Sequence, residues 1–413
     1  MDIKSQDKEI YKIIECEKKR QSEGLEMIAS ENYVSEAVLE ATGSVLTNKY
    51  AEGYSGARYY AGCEYIDQAE TLAIERLKKL FGCKFANVQP HSGSSANMAA
   101  YFAVAESGDR ILGQALSAGG HLTHGHKVSF SGKLFEAHQY GLSSKTGQLD
   151  YDEILKIARE VKPKVIMCGY SAYPRKLDFK KFRKIADEVG AYLIADIAHI
   201  AGLVATGYHE SPIGIADIVT STTHKTLRGP RSGIIMTNNE ELAKKINKAV
   251  FPMLQGGPLE HIIAAKAVAF GEALRPSFKK YIGNVVENMS TFANTLVHFD
   301  FDLVTGGTDN HLILVDLQNK SLTGLDFQDA LTKAGISVNK NSVPDDPNPP
   351  KVTSGIRVGV AAVTTRGMGY LEMQRIAELF NTVAENMDND EKLAEIKEEV
   401  AEMCKKFPVP GIN

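Results

Sequence analysis

The stretch between Ala191 and Arg231 constrains the fold of this chain more than any other part of it. It contains two short apolar runs, 191–195 and 215–219, and each run is followed by polar, reactive side chains. Short apolar runs are typical of strands buried on both faces of a parallel sheet, and ligands of such sheets lie beyond the carboxyl ends of the strands. The sequence therefore predicts an α/β fold with a site at these strand ends. The candidate residues there are Asp196, His199, His224 and Lys225.

The chemistry of Lys225 and Asp196 indicates a cofactor. A lysine held near a strand end among neutral groups can lose its proton and attack a carbonyl. An aspartate can hold a protonated ring nitrogen, and the two together are what pyridoxal phosphate (PLP) requires of a protein. The alternative is a solvated lysine after a strand and an aspartate that caps a helix, and these two residues alone favour neither interpretation.

Composition excludes several classes of partner. The formal net charge of −4 over 413 residues gives no basic surface for nucleic acid or for a membrane. No apolar run approaches the length of a membrane span, and the N-terminus lacks a signal-peptide core. The five cysteines are scattered, as is usual in a reducing compartment. We therefore expect a cytoplasmic protein that binds neither nucleic acid nor membranes.

The segment 50–65 has an unusual composition for a structural loop. It contains five tyrosines, two glutamates and one arginine. Dense polar aromatic side chains on a loop favour contact with a ligand or with another subunit. A tyrosine-rich packing loop is the alternative, and composition alone does not separate the two.

Two turns of small residues precede predicted helices. Ser92-Gly93-Ser94 precedes a helix predicted at 96–105, and Gly256-Gly257 precedes one predicted at 259–273. Such helix starts present free N–H groups to an anion, so a cofactor phosphate fits there. For the serines, an ordinary helix cap is the commoner explanation when they are considered alone.

His121 lies in a glycine-rich turn and could stack flat on a heteroaromatic ring. Together with His124 and His126 it could instead bind a metal, but no carboxylate or cysteine stands at ligand spacing. We therefore predict no metal site.

Ser171 is a further hydroxyl at the end of a predicted strand.

Arg357 lies within an apolar run, 355–360, that predicts a strand. A guanidinium in such a place needs an anionic partner, because an unpaired buried charge costs several kcal/mol. The partner could be the carboxylate of an amino-acid substrate or a structural carboxylate, and the sequence alone leaves both open.

The predicted elements suggest three regions. Residues 1–82 form a helical arm with a dimer-contact loop, in which 25–33 is predicted to be a polar loop. Residues 83–276 alternate between strand and helix and form a large PLP-binding α/β domain. Residues 277–413 form a smaller α+β domain.

Ordered motifs along nearly the whole chain resemble those of the serine hydroxymethyltransferase family. They read LEMIASENYVS, TNKYAEGY, RYYAGCEYID, QPHSGS, GGHLTHG, SAYPR, TTHKTLRGPR, QGGPL, GGTDNHL and TSGIR. The resemblance implies the PLP-dependent transferase fold type I. It also implies the reversible conversion of L-serine and tetrahydrofolate to glycine and 5,10-methylenetetrahydrofolate, in one-carbon metabolism. It implies a homodimer, or a tetramer of dimers, with shared active sites.

The resemblance also implies roles for individual residues. Lys225 would form the Schiff base, Asp196 would bind the pyridine nitrogen and His121 would stack on the ring. The remaining cofactor contacts would be Ser171, His199, Ser92, Gly93 and Ser94, with Tyr50 and Gly257 from the other subunit. His224 follows as a catalytic candidate, and Ser30, Arg357 and His199 would bind the substrate. Glu52 and Tyr60 of the other subunit would move protons and position the substrate. The folate region would comprise Leu116, Gly120, His121, Leu122, Glu240, Asn341, Pro349, Pro350 and Lys351.

The chain departs from the usual family pattern at a few positions, which are Ser232, Met253-Leu254, Lys351 and Val360-Ala361. Lys351 stands in the predicted folate segment, where an aromatic residue is usual. An alternative function is therefore a folate-independent PLP aldolase that cleaves β-hydroxy amino acids such as threonine. It would share Lys225 and Asp196 and would differ at Glu52 and in the segment 349–351.

Overall fold

A computed structural model describes residues 2–412. Its helices are α1 (Ile3–Gln6), α2 (Lys8–Glu23), α3 (Glu36–Thr42), α4 (Glu64–Phe81), α5 (Gly93–Val104), α6 (Phe130–Leu134), α7 (Tyr151–Val161), α8 (Phe179–Val189), α9 (Ala201–Thr206), α10 (Glu240–Lys248), α11 (Glu260–Ala273), α12 (Pro276–His298), α13 (Gly324–Lys333), α14 (Ala361–Thr365), α15 (Tyr370–Glu385) and α16 (Asp390–Lys406).

Its strands are short. They are β1 (Leu25–Glu26), β2 (Gly53–Tyr54), β3 (Ala57–Arg58), β4 (Phe85–Asn87), β5 (Arg110–Gln114), β6 (Glu136–Tyr140), β7 (Val165–Gly169), β8 (Tyr192–Asp196), β9 (Ile218–Thr222), β10 (Gly233–Thr237), β11 (Asp302–Leu303), β12 (Leu312–Asp316), β13 (Ile336–Ser337), β14 (Asn339–Asn341) and β15 (Gly355–Gly359).

Within residues 2–412, the larger sheet has seven strands in the order β4-β10-β9-β8-β7-β5-β6. The pairs from β9 to β6 are parallel, whereas β10 runs antiparallel to both β9 and β4. All residues of β7, β9 and β10 are buried, as is typical of strands covered by helices on both faces. The carboxyl ends of β7, β8 and β9 therefore lie side by side at one edge of the sheet.

The strand predicted at 215–219 lies later in the chain, at Ile218–Thr222. The prediction was wrong because it followed apolar side chains, while the strand consists largely of buried hydroxyl residues. Two of these hydroxyls find partners inside the protein: the Thr220 hydroxyl donates to Asn97 Oδ1 at 2.6 Å, and the Ser221 hydroxyl donates to the Thr222 carbonyl at 2.8 Å. Asp217, which the prediction placed inside the strand, lies just before it, and its side chain accepts from the Leu193 N–H at 2.7 Å.

The segment predicted to be a polar loop at 25–33 is partly in the core. Leu25 and Met27 are fully buried, and β1 pairs in parallel with β13 near the C-terminal part of the chain. The backbone N–H of Gly359 donates to the Met27 carbonyl at 2.8 Å. The prediction was wrong because the alternation of apolar and polar residues here is that of a short strand whose partner is distant in sequence.

The smaller sheet has the order β11-β12-β15-β14 and is antiparallel throughout the described residues. Strand β15 is paired on both sides and is completely buried, so its backbone is held firmly. It carries Arg357 toward the larger sheet, where the guanidinium donates to the Ser171 carbonyl at 2.8 Å. Among residues 2–412, no helix combines the length and the apolar character needed to cross a membrane.

Candidate active site

A cavity of about 440 Å³ opens at the carboxyl ends of β7, β8 and β9. It brings together eleven residues predicted from the sequence: Ser30, Ser92, Gly93, Ser94, His121, Ser171, Asp196, His199, His224, Lys225 and Arg357. The position agrees with the rule that ligands of α/β sheets bind beyond the strand ends. Segments distant in sequence meet here because the larger sheet, α5 and β15 all border the same space.

Lys225 follows β9 closely and its side chain is buried in this cavity. Burial lowers the pKa of Lys225 to about 8, and the nearby Arg357 and Arg231 lower it as well, although Asp196 opposes the shift. Roughly a tenth of this amine is therefore unprotonated at pH 7, far more than for an ordinary lysine. An unprotonated lysine is the form that attacks a carbonyl carbon.

Asp196 ends β8 with three hydrogen bonds to its carboxylate. Asn97 Nδ2 donates to Oδ2 at 2.8 Å, His124 Nε2 lies 3.2 Å from the same oxygen, and the Ala198 N–H donates to Oδ1 at 2.9 Å. Burial would raise the pKa of Asp196, but the hydrogen bond and charge of His124 outweigh it and hold the pKa well below its usual range. Asp196 is therefore an anion aimed at the cavity.

The three histidines that line the cavity are uncharged at neutral pH. Burial lowers the pKa of His121 to about 4 and that of His224 to about 3. The pKa of His199 also lies well below its usual value because of burial, and its Nδ1 lies 3.4 Å from Nε2 of His311. Neutral imidazoles can stack on a ring or share a hydrogen bond without adding a positive charge beside Lys225.

The start of α5 forms a cradle of backbone at one end of the cavity. Ser92 caps the helix through its hydroxyl, which accepts from the Ser95 N–H at 3.2 Å. Gly233 must be glycine here, because a Cβ at that position would lie 2.2 Å from the Ser92 carbonyl oxygen. Helix starts with this close backbone packing bind phosphate through their free N–H groups.

Two buried side chains fix the backbone behind this cradle. Lys266 of α11 donates to the carbonyls of Val88, Pro90 and Gly233, the last at 2.9 Å. Ser232, one of the departures from the family pattern, donates to the Pro90 carbonyl at 2.9 Å. The substituted residue thus contributes a hydrogen bond to the cradle.

Arg357 is a buried cation whose hydrogen-bond partners are all neutral. It donates to the Ser171 carbonyl at 2.8 Å, to Asn339 Oδ1 at 3.1 Å and to the Ser30 hydroxyl at 3.4 Å. No carboxylate of residues 2–412 forms an ion pair with it. Burial lowers the pKa of Arg357 to about 10, while Glu31 opposes the shift. A structural ion pair is therefore absent, and the geometry favours an anionic ligand.

Four predicted residues lie together outside the cavity, and we call them the tyrosine cluster: Tyr50, Glu52, Tyr60 and Gly257. The rings of Tyr50 and Tyr60 are 4.9 Å apart, and the Tyr50 hydroxyl lies 3.3 Å from Glu52 Oε1. A Cβ at Gly257 would lie 3.2 Å from the Tyr50 ring. Both tyrosines are exposed, and none of the four residues lines the cavity.

The residues predicted for folate, other than His121, do not line the cavity either. Leu116 and Leu122 are exposed in turns after β5, with Gly120 between them in the chain. Asn341 ends β14, and the loop that follows it contains Pro349, Pro350 and Lys351. Glu240 begins α10 on the surface and forms an ion pair with Lys244 at 3.2 Å.

Sequence reasoning missed several residues that line the cavity: Glu31, Asn97, Tyr170, Ala198, Thr222 and Arg231. Glu31, Tyr170 and Ala198 are chain neighbours of predicted residues, so proximity could have identified them. Asn97 gave no such indication, because its role depends on α5 packing against β8 and β9.

No group of three or more potential metal ligands occurs among residues 2–412.

Comparison with known proteins places this chain in a family. The family model described as serine hydroxymethyltransferase matches residues 3–380. The chain belongs to the serine hydroxymethyltransferase family. It is 58% identical over 407 residues to the serine hydroxymethyltransferase of Methanosarcina barkeri, a match that covers 98% of this chain and 99% of that protein. Membership confirms the predicted fold type I, a PLP-dependent transferase, and the predicted use of PLP and tetrahydrofolate.

The residues present fit the cofactor of the serine hydroxymethyltransferase family. Thr222 Oγ1 and His224 Nδ1 are buried polar atoms at the cavity without a hydrogen-bond partner among the described residues, as expected where a polar ligand binds. The donor set also matches, with an anion for a ring nitrogen, an amine for an aldehyde and backbone N–H groups for a phosphate.

Proposed function

We propose that the cavity at the strand ends carries out the serine hydroxymethyltransferase reaction. The chain converts L-serine and tetrahydrofolate reversibly to glycine and 5,10-methylenetetrahydrofolate. The single observation that supports this site best is the buried guanidinium of Arg357, whose partners are all neutral. A substrate carboxylate would supply the missing anion through two parallel hydrogen bonds.

Each lining residue then has a task toward the cofactor. Lys225 would bind the aldehyde carbon, Asp196 would keep a proton on the ring nitrogen, and His121 would cover one face of the ring. The Ser92-Gly93-Ser94 cradle would hold the phosphate. PLP, when bound, supplies an aromatic ring that accepts the electron pair released when the hydroxymethyl carbon leaves the substrate.

The substrate would be held by Arg357 with Ser30, and by His199, which is neutral and can share a proton with the substrate without repelling Lys225. His224 and Ser171 border the same space. Lys225, with a pKa near 8, can take up and release a proton at neutral pH. Arg357, His199 and Lys225 are buried, so their polar groups have little contact with bulk water.

We propose that the active protein is a homodimer, or a tetramer built from dimers. The tyrosine cluster supports this, because it carries an acid and hydroxyl groups yet lies outside its own cavity. In a two-fold dimer the same exposed cluster would reach the cavity of the other subunit. Glu52 and Tyr60 would then serve proton transfer and substrate positioning, and Tyr50 and Gly257 would approach the phosphate.

The folate would bind along Leu116, Gly120, His121, Leu122 and the loop after Asn341, and Glu240 is the weakest member of this set because it lies on α10.

The proposed domains are 1–82, 83–276 and 277–413, although β1 and Met27 pair with the third of these regions. A cytoplasmic location is part of the same proposal.

The test is an assay of the purified, PLP-loaded protein with L-serine and tetrahydrofolate. We expect 5,10-methylenetetrahydrofolate and glycine to form in equal amounts, and the visible spectrum to change further when tetrahydrofolate follows glycine. Arg357→Lys should raise the KM for serine by about 100-fold, because a single ammonium cannot replace the two parallel hydrogen bonds. A spectrum that responds to glycine but ignores tetrahydrofolate would contradict the proposal in favour of a folate-independent aldolase.

A further inference from the structure

The loop 342–354 joins the two strands that border the proposed folate region. It leaves β14 after Asn341 and enters β15 at Gly355, and these two residues are register partners in the smaller sheet. The loop contains Pro349, Pro350 and Lys351. Proline fixes parts of its backbone but supplies no N–H donor, so the loop cannot hold its shape through a regular hydrogen-bond ladder.

The side chain of Asp346 replaces that ladder with four hydrogen bonds. Oδ1 accepts from the Asn348 N–H at 2.9 Å and from the Ser354 hydroxyl at 2.6 Å. Oδ2 accepts from the Val343 N–H at 3.1 Å and from the Ser354 N–H at 2.9 Å. The carboxylate thereby joins the beginning of the loop at Val343 to its end at Ser354.

The site of Asp346 is built for a carboxylate in particular. Each oxygen accepts two hydrogen bonds, and the partner Ser354 is fully buried. Burial would raise the pKa of Asp346, but the hydrogen bonds from Ser354, Asn348 and Val343 outweigh it and lower the pKa. An amide has one accepting oxygen, so it would place an NH₂ group against two donors.

We propose that Asp346 is a positioning residue that holds loop 342–354 in the shape that binds tetrahydrofolate. The inference rests on the proposed role of Asn341 and of 349–351 in folate binding. Asp346 would act through the loop and not through a contact with either substrate. Arg357 is insulated from the loop because β15 is paired on both sides, so the serine site should remain intact when the loop loosens.

The experiment compares Asp346→Asn with Asp345→Asn as a matched control. Asp345 is the adjacent residue, is exposed and has a positive φ of 54° that asparagine adopts readily. Both variants remove one negative charge from the same loop. Steady-state kinetics on the PLP-loaded enzymes gives the KM for tetrahydrofolate and for serine, and thermal unfolding gives Tm.

We expect Asp346→Asn to raise the KM for tetrahydrofolate by about tenfold or more, and the KM for serine by less than about twofold. Asp345→Asn should leave both values at wild-type levels. An unchanged KM for tetrahydrofolate in Asp346→Asn would overturn the inference while the proposed function stands. So would an equal rise in both KM values, which would show a merely structural role. A wild-type enzyme that forms no 5,10-methylenetetrahydrofolate would overturn the proposed function and this inference together.

Discussion

Among single residues, Lys225 is the group whose chemistry depends most on its surroundings. Its pKa of about 8 lies below the usual value of 10.5, because burial disfavours the charged form. The unprotonated fraction therefore rises with pH around 8 rather than around 10.5. We expect the rate at which PLP and borohydride label Lys225 in the cofactor-free protein to rise with a midpoint near pH 8 and to level off above about pH 9. Mass spectrometry of the labelled peptide measures this rate.

Asp196 provides the control for the titration of Lys225. Its negative charge favours the protonated lysine, so Asp196→Asn should move the midpoint of labelling to lower pH. A midpoint near pH 10 in the wild-type protein would contradict the buried environment described for Lys225.

Among the secondary-structure elements, α11 has a direct effect on the phosphate cradle. Lys266 donates to the carbonyls of Val88 and Pro90, which precede Ser92 in the chain, and to the carbonyl of Gly233 at the start of β10. Lys266→Met leaves these carbonyls without their donor and should loosen the start of α5. We expect the dissociation constant for PLP to rise by about tenfold or more, measured by absorbance titration of the cofactor-free protein.

Pyridoxal, which has no phosphate, separates this effect from a general loss of structure. Its affinity should change little in Lys266→Met, because the loosened backbone is the part of the site proposed to hold the phosphate alone. Equal losses of affinity for PLP and pyridoxal would contradict a role for Lys266 at the cradle.

At the same scale, the sequence predicts most of the helices and strands correctly. The helix predicted at 259–273 lies at Glu260–Ala273 in the structure, and the strand predicted at 355–360 lies at Gly355–Gly359, because both depend on local pattern and turn residues. The strand β9 and the segment 25–33 were misassigned, since buried hydroxyls and a distant strand partner override local pattern. The positions of Asn97 and Lys266 could not be predicted, because their partners are set by helices packing on the sheet.

At the scale of the whole molecule, Arg366 joins the N-terminal helix α2 to the C-terminal helix α16. Its guanidinium donates five hydrogen bonds to carbonyls at the ends of α2 and α16, which belong to Gln21, Ser22, Gly24, Cys404 and Phe407. No residue of α2 is buried, so few apolar contacts hold this helix in place. We expect Arg366→Met to speed amide hydrogen exchange in α2 by about 100-fold, since it removes charged hydrogen bonds worth about 3 kcal/mol in total.

Arg375→Met is the matched control for Arg366. Arg375 is half-exposed on α15 and pairs with Glu378 and Glu399 on the surface, where such pairs contribute about 1 kcal/mol or less. Exchange in α2 should be unaffected in this variant. If Arg366→Met left α2 exchange unchanged as well, the guanidinium would not be what holds the helix.

The separation of the tyrosine cluster from the cavity has a genetic consequence. In a dimer with shared sites, Lys225→Met and Glu52→Gln would each inactivate every site of their own homodimer. Mixed dimers would contain one doubly defective site and one site that takes its lysine and its glutamate from intact copies. Two dead alleles expressed together should therefore restore about a quarter of wild-type activity, given random subunit exchange. Lys225→Met paired with Asp196→Asn, both lining the same cavity, should restore none.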